Sequence, residues 1–259
     1  GIVLGCGINI KRSPLCGRNF EYFSEDPLLS GTLATAYVNA MQKEGVGTSL
    51  KHFAGNNQET QRQTSNSQID ERALREIYLS AFEQVVKNAS PATIMASYNR
   101  LNGTFACQNS YLLTETLRKE WGYQGAVISD WGATADIVSC IKAGMDLEMP
   151  DSNGLHEPLL KEAVKNNVIS EKELDRSVNR LVSLIKTYAS KPAPDTVDFH
   201  AQHFIARQLA SESGILLRND DILPLTKDDS FCVIGEMAEH MRFQGGGSSH
   251  INCPKTPNI

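Results

Sequence analysis

Gly125-Ala126-Val127-Ile128-Ser129-Asp130-Trp131-Gly132 is the stretch whose reading decides the fold. A short apolar run, partly β-branched and bounded by glycine, ends in a carboxylate followed at once by an indole. Such a run reads as a buried strand. A lone Asp at its tip is costly unless it is solvated, paired or chemically used. In parallel α/β architectures the carboxyl ends of strands are where active sites are built. Asp130 is therefore the first candidate for a catalytic group, and Trp131 reads as a platform for an apolar or sugar-like ring face.

Outward from this strand, strand-like and helix-like segments alternate. Residues 1–10, 48–53, 93–98 and 145–149 read as further strands. Residues 29–44, 70–87, 110–121, 133–143, 155–166 and 170–188 read as helices; in the second, Leu74, Ile77, Tyr78, Ala81, Phe82 and Val85 fall at helical spacing. Ser170 with Glu173 forms a capping box. Repeated strand–helix units imply a parallel sheet with right-handed crossovers. The five strands fall short of a closed eight-stranded barrel and would suffice for a doubly wound sheet. The chain opens on Gly1-Ile2-Val3-Leu4 without an initiator Met and so reads as cut at the front, which favours a partial TIM-like (β/α)8 barrel lacking its first strands. Residues 1–190 are assigned to this barrel and 191–199, opening on Lys191-Pro192-Ala193-Pro194-Asp195, to a linker. Residues 200–259 read as the start of a second α/β domain: a helix at 200–213, then apolar stretches at 214–219, 222–225 and 230–235.

The 259 residues carry a formal charge of -5, with 41% hydrophobic and 21% charged residues. These values fit an ordinary globular protein and argue against nucleic acid or an anionic membrane as the main partner. No apolar stretch approaches the roughly 18 residues that suggest a membrane span. The six cysteines are scattered without a CxxC pair and read as reduced structural thiols, which favours a cytoplasmic location. His200 and His203 lie one helical turn apart without a third ligand nearby, and no metal or cofactor is expected. The loop Gly245-Gly246-Gly247-Ser248 lacks the Lys of a phosphate-binding P-loop.

Polar residues gather at the strand ends: Lys51 and His52, Tyr98 and Asn99, Asp130 and Trp131, and Glu148. In a barrel they converge on one rim, and the loop from Cys16 to Pro27 adds Arg18 to the same face. Each has a plainer reading. Arg18 pairs with Glu21 or Glu25, Lys51 is a solvated strand end, Tyr98 is a core aromatic, and Glu148 is a structural anchor. Together, a carboxylate surrounded by Arg, Lys, His, Tyr and Trp suits a neutral polyhydroxylated ring. Cationic and imidazole donors bind hydroxyls and keep the carboxylate ionised, so that it can attack an anomeric carbon.

At these residues the sequence resembles glycoside hydrolase family 3. The resemblance rests on Asn9-Ile10-Lys11-Arg12-Ser13-Pro14 running into Gly17-Arg18-Asn19-Phe20-Glu21, on Phe23-Ser24-Glu25-Asp26-Pro27 and on Lys51-His52-Phe53. Met95 through Tyr98-Asn99-Arg100 to Asn102-Gly103, and Ser129-Asp130-Trp131, complete it in the family's order over nearly the whole chain. The β-glucosidases are the most similar members. The N-acetylglucosaminidase branch continues its Lys-His-Phe strand with Pro-Gly-His-Gly, where this chain has Ala54-Gly55-Asn56-Asn57.

The resemblance implies a retaining exo-glycosidase on a TIM-like barrel followed by an α/β sandwich domain, acting on a β-glucoside or oligosaccharide. It implies Asp130 as nucleophile, with Arg18, Lys51, His52 and Tyr98 bonding the glycone. Met95 and Trp131 would line the pocket, and Ser248 would be the second domain's contact. The acid/base Glu of the family lies beyond the glycine-rich loop and is expected outside this chain. A β-xylosidase of the same family, a Schiff-base aldolase using Lys51, and a non-catalytic carbohydrate-binding protein are the rival expectations.

Overall fold

The computed structural model describes residues 1–189, 196–244 and 246–253. Two compact units divide the chain, Gly1–Lys191 and Pro192–Ile259. In the first, the parallel strands β1 (Ile2–Val3), β2 (Gly47–Phe53), β4 (Thr93–Ala96) and β7 (Ala126–Ser129) pair in that spatial order. Leu147 bridges Ile128 in parallel beyond β7. A separate small sheet joins β3 (Asn66–Ser67), β5 (Arg100–Leu101) and β6 (Thr104–Phe105). It was not apparent in the sequence, because strands of two residues leave no periodic signal.

Helical segments cross between successive strands. They are α1 (Pro27–Lys43); the single turn α2 (Glu71–Ala73), which runs through a π-helical stretch Leu74–Tyr78 into α3 (Ser80–Ala89); the π-type helix Tyr111–Glu120; and α4 (Ile137–Ala143). Sequential strands beside one another without a reversal of order make an arc of a (β/α) barrel, since a doubly wound sheet reverses direction partway. Every strand's carboxyl end then lies on the same side of the arc.

Local chemistry sets the helix limits. Asp26 caps α1 by accepting the Leu28 N–H at 2.8 Å, with Pro27 in the first turn. Asp136 caps α4, so that helix begins at Ile137 rather than at residue 133, and Gly144 ends it at φ 110°. The helices α5 (Glu157–Lys165) and α6 (Glu171–Tyr188) follow, and α6 opens on the reciprocal capping box of Ser170 and Glu173. Ser170→Ala is expected to lower the thermal unfolding midpoint through a loss of about 1 kcal/mol. Ser170→Thr, which keeps the hydroxyl that donates to Glu173 at 2.7 Å, should recover most of it.

The core lies between the sheet and its helices. Phe53 packs on Phe82 with ring centroids 5.1 Å apart and on Trp121 at 5.8 Å. Leu50, Ile94 and Val127 join them in this layer. Of residues 1–10 only Ile2 and Val3 form a ladder, paired with Gly47 and Thr48; farther on, Gly7 bridges both Tyr22 and Lys51.

In the second unit, α7 (Phe199–Glu212) is capped by Asp198, and the short turn α8 (Glu236–Glu239) follows. The apolar stretches 214–219, 222–225 and 230–235 form no ladder among the described residues and are exposed. An apolar run becomes a strand only where a neighbour takes its backbone hydrogen bonds. Residues 191–195 of the expected linker and Gly245 of the glycine-rich loop lie outside the described residues. No helix among the described residues is long and apolar enough to cross a membrane.

Candidate active site

Asp130 follows the last residue of β7 and is buried. Its backbone N–H donates to the Ala96 carbonyl at 2.9 Å, and its Oδ1 accepts the Trp131 N–H at 2.8 Å. One carboxylate oxygen is thus held by the turn that follows the strand. The other, Oδ2, is buried with no hydrogen-bond partner and faces His52 Nε2 at 3.7 Å. It is the one carboxylate oxygen among the described residues in that condition.

His52, at the end of β2, is 1% exposed. Asn9 holds its backbone from both sides: Asn9 Nδ2 donates to the His52 carbonyl and Asn9 Oδ1 accepts the His52 N–H, each at 2.8 Å. Ring atom Nδ1 lies 3.1 Å from the Tyr22 hydroxyl. Burial, reinforced by the charges of Arg18, Lys51 and Arg62, holds the imidazole well below its ordinary value, so it is neutral at neutral pH.

That shift has a consequence for stability. The unfolded chain takes up a proton at His52 near pH 6.5, which the folded chain refuses until a lower pH. The stability tied to the neutral ring is complete above about pH 6.5 and is lost as pH falls below it, at up to about 1.4 kcal/mol per pH unit. Denaturant unfolding between pH 7 and 5 should therefore show a steeper acid-side decline in the wild type than in His52→Gln.

Arg18 and Lys51 converge on one carboxylate. Glu21 pairs with Arg18 Nε and takes Lys51 Nζ at 3.3 Å. Burial is the largest influence on Arg18 and lowers its value, but the bond to Glu21 and the charges of Tyr22, Glu21 and Glu59 together raise it. Of the alternatives for Arg18, pairing with Glu21 is what the structure shows, and the same pair ties Arg18 to Lys51. The sequence offers Glu21 and Glu25 equally as partners of Arg18, since nothing in their spacing ranks one above the other.

Tyr98 is buried, and its hydroxyl is pushed up to about 12 by burial and the nearby Asp130 charge. The Arg62 guanidinium lies over its ring at 4.4 Å and bonds Glu59 at 2.8 Å. Arg62 sits in a loop with no periodic signal, and no motif marks it. Met95 is buried in β4, opposite Ile128. Trp131 is 42% exposed. Glu148 Oε2 lies 2.8 Å from His156 Nδ1. Ser248 lies in the second unit, exposed in the short turn Gly247–Ser249. Among the described residues no group of three or more His, Cys, Asp or Glu side chains is arranged to hold a metal ion.

Fold and site together define an α/β-barrel protein whose candidate site, a buried carboxylate beside a neutral imidazole and a cation pair, lies at the carboxyl ends of its strands. The chain belongs to glycoside hydrolase family 3: residues 6–184 match the Glycosyl hydrolase family 3 N terminal domain. Over its full length it is 50% identical to the thermostable beta-glucosidase B of Acetivibrio thermocellus, of which it spans 34%. It is 47% identical over 98% of its length to an exo-alpha-(1->6)-L-arabinopyranosidase of Bifidobacterium longum, of which it spans 35%. Its structure matches that of a family 3 beta-glucosidase from Bifidobacterium adolescentis with a TM-score of 0.94 and 48% identity, covering 99% of this chain and 38% of that one. It also matches the Kluyveromyces marxianus beta-glucosidase in complex with glucose, with a TM-score of 0.91 and 36% identity, covering 98% of this chain and 32% of that one. The chain thus spans about a third of the length of these relatives.

Proposed function

We propose that this chain is the nucleophile-bearing part of a retaining, exo-acting β-glucosidase that removes terminal non-reducing β-D-glucosyl residues. The observation that carries the reading is the buried, unpartnered Oδ2 of Asp130 at a strand's carboxyl end. Oδ2 attacks the anomeric carbon as the leaving-group oxygen departs, giving a glycosyl–aspartate ester. Water then attacks the same carbon and releases the carboxylate. Two displacements at one carbon return the β configuration.

The departing oxygen needs a proton, and the incoming water must lose one. On the family resemblance we assign both tasks to a Glu of the whole protein beyond residue 259, about 5–5.5 Å from Asp130 in the working enzyme. Arg18, Lys51, His52 and Tyr98 bind glycone hydroxyls in this reading. Glu21 keeps the two cations side by side and fixed, which favours preorganisation over reorganisation during turnover. Trp131 offers its face to the C–H side of the sugar and Met95 forms the pocket wall. Ser248 is assigned to the site on resemblance alone.

The 47% identity to an arabinopyranosidase favours one second reading, a different pyranose as glycone. A Schiff-base role for Lys51 is not favoured, because its ammonium group is paired with Glu21. The test uses the full-length protein with para-nitrophenyl β-D-glucopyranoside and α-L-arabinopyranoside, following the first-formed sugar by proton NMR. The proposal expects faster turnover of the glucoside, with β-glucose appearing before mutarotation. Preference for the arabinoside would move the glycone assignment, and α-glucose as first product would end the retaining mechanism.

A further inference from the structure

The role proposed for His52 depends on which ring nitrogen carries the proton, and the surroundings of the ring bear on that choice. Asn9 Oδ1 takes the His52 backbone N–H at 2.8 Å and lies 3.4 Å from Nδ1, at the long limit of a hydrogen bond. The Tyr22 hydroxyl, at 3.1 Å, is the nearer partner of Nδ1. On the far side of the ring, Nε2 faces the unpartnered Asp130 Oδ2 at 3.7 Å.

Two arrangements satisfy these distances. In one, the Tyr22 O–H donates to Nδ1 and the proton on Nε2 points toward Asp130. In the other, Nδ1–H donates outward and the Nε2 lone pair opposes a carboxylate oxygen. In a buried site the second sets negative potential against negative potential with no intervening donor, so the first is favoured.

We propose that Tyr22 is a positioning residue: its hydroxyl holds neutral His52 in the tautomer that presents Nε2–H to the glycone beside Asp130. This rests on the glycosidase reading of the site.

The fold supports that placement of the ring. Tyr22 is 3% exposed and meets the imidazole edge-on, with centroids 6.0 Å apart at 73°. Its backbone bridges Gly7, which also bridges Lys51 on the strand that carries His52. A Cβ at Gly7 would lie 2.8 Å from the Tyr22 ring, so the ring occupies its seat only because residue 7 lacks a side chain. Burial raises the phenol far above its ordinary value, so it remains a donor across the working pH range. The charged groups acting on the imidazole are Arg18, Lys51 and Arg62, with Asp130 opposite Nε2. The three cations disfavour protonation of the ring. They leave the tautomer to its hydrogen bonds.

The test is a double-mutant cycle in the full-length enzyme with Tyr22→Phe, His52→Gln and the pair, read on an aryl β-glucoside. Tyr22→Phe is expected to lower kcat/KM roughly ten- to a hundredfold, the cost of one well-placed buried hydrogen bond. The double variant should lose little more than His52→Gln alone, because Tyr22 acts through the ring. Incorporating 3-fluorotyrosine at position 22, which retains the hydroxyl, should keep activity within a few fold of wild type. In selectively 15N-labelled histidine spectra, the signal lost in His52→Gln should be that of an Nε2–H tautomer, and Tyr22→Phe should shift it. Independent and additive losses, or an Nδ1–H tautomer in the wild type, would overturn the proposal. Covalent trapping of Asp130 by a fluorinated glucoside in every variant keeps the glycosidase reading separate. If trapping fails even in wild type, that reading has failed and not the Tyr22 contact alone.

Discussion

Asp130→Gly in the full-length protein is expected to lower turnover of an aryl β-glucoside by about four to six orders of magnitude, the scale seen when a covalent nucleophile is removed. The unfolding midpoint should change little by comparison. Oδ2 has no hydrogen bond to lose, and Oδ1 holds a single backbone N–H of the adjacent residue. Glycine also opens space where the carboxylate stood. Azide should enter that space, attack the anomeric carbon from the face Asp130 used, and give α-glucosyl azide with partial recovery of rate. A variant that kept turnover within tenfold of wild type, without azide, would remove Asp130 from the mechanism. Asp130→Asn provides the companion measurement: similar shape, no nucleophilic charge, and glycone affinity retained while turnover is lost.

The second large effect lies away from the site. Asp146 has a fully buried side chain that accepts from Arg118 at 2.6 Å, Arg180 at 2.8 Å, the Ser177 hydroxyl at 2.9 Å and the Val127 N–H at 2.8 Å. One carboxylate thereby ties α6 and the π-type helix Tyr111–Glu120 to β7, the strand that ends in Asp130. Burial already depresses the Arg118 value. Removing its partner leaves a largely buried guanidinium without a counter-charge. Asp146→Ala is therefore expected to cost about 3–5 kcal/mol, measured by urea or thermal unfolding. Arg180→Ala should cost less, because Arg180 is the more exposed partner and Arg118 remains to neutralise the carboxylate. An Asp146→Ala loss below 1 kcal/mol would mean that the network does not hold the strand.

Much of the barrel was legible because strand and helix periods differ and because buried parallel strands are short apolar runs. The strand ending in Asp130 and the capping box at Ser170 were both readable at their own positions. What was not legible depends on contacts between distant parts of the chain. Tyr22 and His52 are 30 residues apart, and Asn9 and His52 are 43 apart. No local pattern announces either pairing. Glu21 and Arg62 join the site through charge geometry that spacing does not encode. Local periodicity also misjudged lengths. Residues 1–10 look like one strand, yet the ladder stops at Val3, and the helix expected over 70–87 contains a π-helical stretch that leaves the apolar pattern unchanged. The apolar runs of the second unit show the same limit, since composition shows an apolar, β-prone segment but not whether a partner strand is present.

The central claim is that Asp130 forms the covalent bond to the sugar. The most direct measurement is to trap the full-length enzyme with an activated 2-deoxy-2-fluoro-β-D-glucoside, digest it, and locate the added sugar by tandem mass spectrometry. The account predicts one fluoroglucosyl ester, on Asp130 within the peptide that carries Ser129 and Trp131. A label on any other carboxylate, or rapid hydrolysis of ordinary glucosides with no label at Asp130, would contradict it.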